Sequence, residues 1–209
     1  MARVDAPDFW DGLYAMGGDG WELGQPAPAL VDFVEQTPPP RGRVAVLGCG
    51  RGHDARFLAA RGYEVVGYDF SGAAVTAARA LAQRDGVTVE FEQRDIFTLG
   101  REAAHAFDGV WEYTCFCAID PARRDEYARV LHAILRPGGI LLACFFPLRE
   151  GGDGPPFPVS RGDIERALAG RFTVLEAGPP PRSAERRRGL EWLVRARREP
   201  SDPGTRPDR

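Results

Sequence analysis

The chain has 209 residues, 44% hydrophobic and 27% charged, enough for one domain with a buried core. Its net charge of -3 argues against a basic nucleic-acid binder. Its longest apolar run, Ile140 to Pro147, is too short to cross a bilayer. No apolar leader follows Met1, and Cys49, Cys115, Cys117 and Cys144 sit in apolar or glycine-rich runs. Reduced thiols in a cytoplasmic protein are therefore expected. Cys115-x-Cys117 has no second ligand pair at zinc spacing, so no metal is expected.

In chain order, residues 1–40 read as an N-terminal arm. It carries Trp10, Tyr14 and Trp21 among several glycines, then a helix around Ala29 to Glu35 and a stiff joint, Thr37-Pro38-Pro39-Pro40. Residues 41–199 read as one α/β domain. Val44 to Gly48 is a short buried strand ending in glycines, and Asp54 to Arg61 is a helix. Glu64 to Asp69 is a second strand. Ser71 can cap the Ala-rich helix Ala73 to Gln83. Thr88 to Gln93 and Phe107 to Tyr113 read as the third and fourth strands. Arg124 to Leu135 is amphipathic, with Tyr127, Val130, Leu131 and Ile134 on one face. Pro137-Gly138-Gly139 is expected to end that helix and turn into a strand from Ile140 to Phe146. A capped helix follows from Ser160 to Ala169. Phe172 to Ala177 and Leu190 to Ala196 are two strands with no helix between them. The tail, 200–209, is rich in Pro and Arg and is expected to be disordered.

The sharpest local signal is Gly48-Cys-Gly50-Arg-Gly52-His-Asp54, after a strand and before a helix. Glycines there let a ligand lie against backbone N–H groups. Asp69 ends the next strand, 21 residues after Gly48, where an acid can accept both hydroxyls of a ribose. The dinucleotide pattern would need Gly at position 53, which is His53. The G-x-G-x-G spacing suits S-adenosylmethionine. Asp95 and Ile96, after the third strand, suit adenine: the acid for the exocyclic amine, the aliphatic chain for stacking. The sheet, doubly wound and ending in a strand–strand hairpin, also departs from nicotinamide-binding domains, which keep alternating with helices.

Four stretches carry a family resemblance: Phe9-Trp10 through Pro28; Leu47 to Asp54; Glu112-Tyr-Thr-Cys-Phe-Cys-Ala-Ile-Asp-Pro121; and Gly151-Gly-Asp-Gly-Pro-Pro-Phe-Pro-Val-Ser160. The chain resembles class I S-adenosylmethionine-dependent methyltransferases of the thiopurine methyltransferase superfamily, and within it the halide/thiol methyltransferases. The resemblance implies a Rossmann-like sheet of seven strands ending in an antiparallel hairpin, with an aromatic lid arm. It implies that Trp10, Tyr14 and Trp21 close over the cofactor. Gly48 and Gly50 would form the cofactor loop, Asp69 would take the ribose, and Asp95 and Ile96 the adenine. Tyr113 would lie beside the methyl group, and Arg124 at the acceptor end. Two positions depart from the family: Tyr14 stands where Trp is frequent, and Leu47 where Pro is frequent.

The chemistry expected is in-line displacement from a sulfonium onto a small thiol, sulfide or halide. A soft anion needs no general base, and none of His53, His105 and His132 is placed as one. Phe116, Phe146 and Phe157 are either acceptor-pocket lining or core. Arg182, Arg186, Arg187 and Arg188 read as a solvated loop of the last hairpin. Three alternatives stay open. One is an oxygen or nitrogen acceptor, another a thiopurine or chalcogen oxyanion, and the third a cofactor-binding protein without catalysis. A monomer with no nucleic-acid or membrane partner is expected.

Overall fold

The structure is a computed structural model that describes residues 4–18, 20–36 and 42–199. The Thr37 to Pro40 joint and the 200–209 tail lie outside the described residues. Helices α1 (Pro7–Ala15) and α2 (Pro28–Gln36) form the arm. The domain then runs β1 (Arg43–Leu47), α3 (His53–Ala59), β2 (Glu64–Asp69), α4 (Gly72–Asp85), β3 (Glu90–Gln93), α5 (Leu99–Glu102), β4 (Phe107–Tyr113), α6 (Arg124–Ile134), β5 (Leu135–Phe145), α7 (Arg161–Leu168), β6 (Phe172–Gly178) and β7 (Trp192–Arg198).

The seven strands form one sheet in the order β3-β2-β1-β4-β5-β7-β6, with β7 antiparallel to both its neighbours. This is the doubly wound sheet with a terminal hairpin that the sequence implies. The strand order reverses between β1 and β4, so a crevice opens at their C-terminal ends, where such sheets bind ligands.

Alternation along the central strands divides the core in two. Phe107 and Val110 of β4 face one side with Tyr127, Leu131 and Ile134 of α6. Trp111 faces the other with Leu30, Phe57 and Val75 from α2, α3 and α4. Ser71 caps α4 as expected, its side chain accepting from Ala74 N at 3.1 Å, and Gly86 ends it in the left-handed region.

Two elements differ from the sequence reading. The arm contains α1, whose start is set by Pro7 at its first turn. Phe9, Trp10, Leu13 and Tyr14 recur at helical spacing on it, although none of them is fully buried. The Pro137-Gly138-Gly139 turn also does not precede β5. The strand begins at Leu135, paired with Phe107, and resumes at Ile140 opposite Gly109. The residues between bulge out of the ladder, with Gly138 at φ +77°, so the strand absorbs the turn rather than waiting for it.

Helix α7 begins with a reciprocal cap: Ser160 accepts from Asp163 N, and Asp163 accepts from Ser160 N. Ser160→Ala removes one half of it, and we expect a loss of about 1 kcal/mol. A thermal melt should fall by about 2–4 °C; an unchanged melting temperature would show that the cap carries nothing. No helix among the described residues is long and apolar enough to cross a membrane.

Candidate functional site

A cavity of about 470 Å³ opens at the C-terminal ends of β1, β2 and β4. That is within the usual range for a small-molecule site. One wall is the glycine loop. Gly48 and Gly50 have φ of +59° and +53°, a region side chains rarely enter. The space is also taken: a Cβ at Gly48 would lie 3.0 Å from Cys115, and one at Gly50 3.0 Å from the Tyr14 hydroxyl. Asp69 closes the loop from β2. Its carboxylate accepts from Gly50 N at 2.8 Å and from Ser71 N at 2.9 Å. Burial pushes its pKa up to about 6, against the pull of these backbone N–H groups.

The second wall is the turn after β3. Asp95 accepts from Phe97 N at 3.0 Å and so caps the short 3-10 turn Ile96–Thr98. Asp95, Ile96 and Phe97 all line the cavity. The roof is the arm. Trp10 and Trp21 meet edge to face with centroids 5.8 Å apart, and Tyr14 and Trp21 at 5.5 Å. Trp10, Tyr14 and Trp21 line the cavity. The arm is fastened at several points. Asp11 accepts from Ser71 Oγ and from Ala73 N. Glu22 pairs with Arg51 at 3.4 Å and with His53 at 3.1 Å. Arg186 and Arg187 donate to the carbonyls of Glu22 and Trp21.

The structure thus brings Trp10, Tyr14, Trp21, Gly48, Asp69, Asp95 and Ile96 to one cavity, with Gly50 bonded to Asp69 behind it. Tyr113 lies beyond that wall. It lines a smaller cavity of about 60 Å³ beside the glycine loop, and Trp21, Gly48 and Thr114 border both spaces. Its hydroxyl donates to Glu191 Oε1 at 2.6 Å, and burial holds its pKa well above the usual phenol value. Arg124 does not line the cavity either. It donates to the Pro158 carbonyl at 2.8 Å, pairs with Asp163 at 3.4 Å, and lies over the Phe116 ring. It therefore ties α6 to the loop before α7, while its neighbour Arg123 lines the cavity, stacked on Phe97. Of the three phenylalanines considered for an acceptor pocket, Phe146 is a lining residue, Phe116 is core, 1% exposed, and Phe157 is half-buried and does not line the cavity.

Several cavity residues were not expected from the sequence, among them Arg123, Arg186 and Arg187. Arg187, read there as part of a solvated loop, is 2% exposed and lines the cavity. Its guanidinium lies 4.9 Å from the Tyr113 ring and 4.7 Å from the Phe146 ring. Its Nη1 is buried and has no hydrogen-bond partner in the protein. The run of arginines was its only signal, and a run does not say which side chain turns inward.

The residues present fit S-adenosylmethionine. The glycine cradle at positive φ is close-packed against Cys115 and Tyr14, a buried carboxylate that could take a ribose ends β2, and aromatic rings that would favour a sulfonium by cation–π attraction gather above.

Comparison with known proteins agrees. The thiopurine S-methyltransferase family model matches residues 5–200. The chain is 33% identical over 189 residues to "Probable thiol methyltransferase 2" of Arabidopsis thaliana, covering 89% of this chain and 83% of that protein. It is 31% identical over 192 residues to thiocyanate methyltransferase 1 of Brassica oleracea, with 89% and 83% covered. Among solved structures, it superposes on Burkholderia thailandensis 1,6-didemethyltoxoflavin-N1-methyltransferase with a TM-score of 0.71 and 26% identity. That match covers 96% of this chain and 89% of the other, whose structure holds its substrate and S-adenosylhomocysteine. The chain therefore belongs to the thiopurine S-methyltransferase family and is a Rossmann-like, S-adenosylmethionine-dependent methyltransferase.

Proposed function

We propose that the protein methylates a small soft anion, a thiolate, hydrosulfide or halide, held by Arg187. The observation that carries this reading is Arg187, a residue of the cavity wall whose buried Nη1 has no hydrogen-bond partner in the protein. A buried charged donor without a partner is costly, and an anion that accepts from it recovers that cost. The surroundings favour a weakly hydrated anion: Phe146, Ile119, Ala118, Pro155 and Pro156 make the neighbouring wall apolar. The names of the Arabidopsis and Brassica relatives point to sulfur acceptors, in support of the same reading.

When bound, S-adenosylmethionine supplies an electrophilic methyl group on a sulfonium. In this reading Asp69 accepts from the ribose hydroxyls, and Asp95 and Ile96 hold the adenine. Gly48 and Gly50 give close backbone approach, while Trp10, Tyr14 and Trp21 exclude water and face the cation. Arg187 holds the acceptor as its anion, which removes the need for a base. Among the described residues lining the cavity there is no histidine. Asp95 and Asp120 each spend an oxygen on a backbone N–H, of Phe97 and Ala122. Tyr113, one wall away and packed against Arg187, keeps the guanidinium in place rather than touching the acceptor.

The test is turnover of S-adenosylmethionine with hydrosulfide, iodide, an alkyl thiol and an aromatic thiol, beside phenol and amine analogues of the last two. Turnover with the soft anions and none with the oxygen and nitrogen analogues is expected. Turnover confined to the oxygen or nitrogen acceptors would overturn the reading.

A further inference from the structure

Glu112, at the end of β4, is fully buried and makes no ion pair among the described residues. It lies one layer beneath the cavity floor. Its Oε1 accepts from Phe116 N at 2.8 Å, and Cys115 N is a further backbone donor. Its Oε2 accepts from the Tyr127 hydroxyl of α6 at 2.6 Å. That hydroxyl also shares a hydrogen bond with the Cys115 thiol. The segment so fastened includes Thr114, at φ +63°, a conformation a β-branched residue adopts only when its surroundings impose it. Thr114, Cys115 and Cys117 line the cavity, and Cys115 packs against Gly48 of the glycine loop. One carboxylate therefore links the strand end, helix α6 and the floor of the site.

We infer that Glu112 is a positioning residue for methyl transfer: its buried carboxylate fixes the Thr114–Cys117 floor against the glycine loop and supplies the negative charge that matches a cationic methyl donor. The inference rests on the reading that this cavity holds S-adenosylmethionine. Asp69, the buried carboxylate in the cavity wall, acts together with Glu112 on Cys115 of the floor. The strand neighbours of Glu112 are Leu47 on β1 and Ala143 on β5. The titratable groups that face it are Tyr127 from α6, Cys115 and Cys117 from the floor, and Cys144 from β5. The nearby cations Arg124 and Arg187 act on Cys117. Burial pushes the carboxyl up to about 7, opposed by the Tyr127, Phe116 and Cys115 donors. The anion and the neutral acid therefore exchange near neutral pH. A cation above the floor favours the anion, whereas the demethylated product, which carries no sulfonium charge, does not.

The test compares binding of S-adenosylmethionine and S-adenosylhomocysteine by calorimetry from pH 5.5 to 8.5, in the wild type and in Glu112→Gln. No acceptor is present, so failure of the acceptor assignment leaves the test intact. Asp69 titrates lower, at about 6, and is present in both proteins, so the difference between wild type and Glu112→Gln reads Glu112 alone. The wild type should favour the cationic form increasingly as pH rises through about 7. In Glu112→Gln that preference should fall on the order of tenfold and lose the rise through about 7, leaving only a step at about 6 from Asp69. With any accepted nucleophile, kcat should drop more than KM rises. Equal weakening of both cofactor forms, with the pH dependence kept, would reduce Glu112 to a structural residue and overturn the inference. If both forms fail to bind the wild type, the cofactor reading of the cavity fails instead. Should Glu112→Gln not fold, Tyr127→Phe keeps the carboxylate but removes one donor to the anion. It should move the midpoint of the ratio upward in pH, and an unmoved midpoint would overturn the inference.

Discussion

Asp69→Ala is expected to weaken S-adenosylmethionine binding by about 100-fold or more. Two charge-assisted hydrogen bonds to the ribose are lost, each worth roughly 1.5–3 kcal/mol. The substitution also removes the acceptor that holds Gly50 N and Ser71 N, so the glycine loop loses its brace. The pH dependence has a definite sign. The folded carboxyl titrates at about 6, above its unfolded value, so its contribution to the stability of the free protein is present below the unfolded pKa. That contribution is lost as pH rises through about 6. Hydroxyl donors favour the anion, so cofactor affinity moves the other way. It should fall as pH drops below about 6, for both S-adenosylmethionine and S-adenosylhomocysteine. Calorimetry across pH 4.5 to 8 checks both statements; an affinity flat across that range, or unchanged in Asp69→Ala, would remove Asp69 from the cofactor site.

Arg187→Gln should lower kcat/KM for a soft anion by about 100-fold, mainly through KM. Loss of a desolvated charged partner commonly costs 2–5 kcal/mol, and the amide that replaces it carries no charge. Cofactor affinity should fall far less, because the arm keeps the Arg186 bond to the Glu22 carbonyl and the Glu22 pairs with Arg51 and His53. Arg124→Gln makes the contrast. Arg124 is committed to Pro158 and Asp163, so its loss should lower the melting temperature while leaving KM for the acceptor nearly unchanged. Steady-state kinetics on the two variants separates the cavity arginine from the structural one. Equal kinetic losses in both would contradict that division.

The sheet was legible because its strands are short apolar runs punctuated by glycine, and because β7 follows β6 with only the short 3-10 turn Glu185–Arg187 and no α-helix between them. The shared cavity of Gly48, Asp69 and Asp95 was legible for a related reason: they sit at or just beyond strand ends, and strand ends converge in this topology. The acceptor side was not. It is built from loops, and a loop sequence does not state which side chain turns inward. Arg187 and Arg188 are adjacent and identical, yet the first is buried and the second exposed. The same holds for Arg123 and Arg124, whose exchange of roles follows from the 3-10 turn Pro121–Arg123 that ends between them. Glu112 carried a usable signal, an acid closing the otherwise largely apolar strand Phe107 to Tyr113, but its partners Phe116 and Tyr127 come from two later segments.

The most direct test of the account is where an acceptor anion sits. Crystals grown with S-adenosylhomocysteine and soaked in iodide would locate it by anomalous scattering. The account predicts a strong iodide peak inside the 470 Å³ cavity, against Arg187 Nη1 and beside Phe146, that is lost in Arg187→Gln. Iodide confined to surface arginines, with the cavity wall at Arg187 bare and the cofactor product in place, would contradict it.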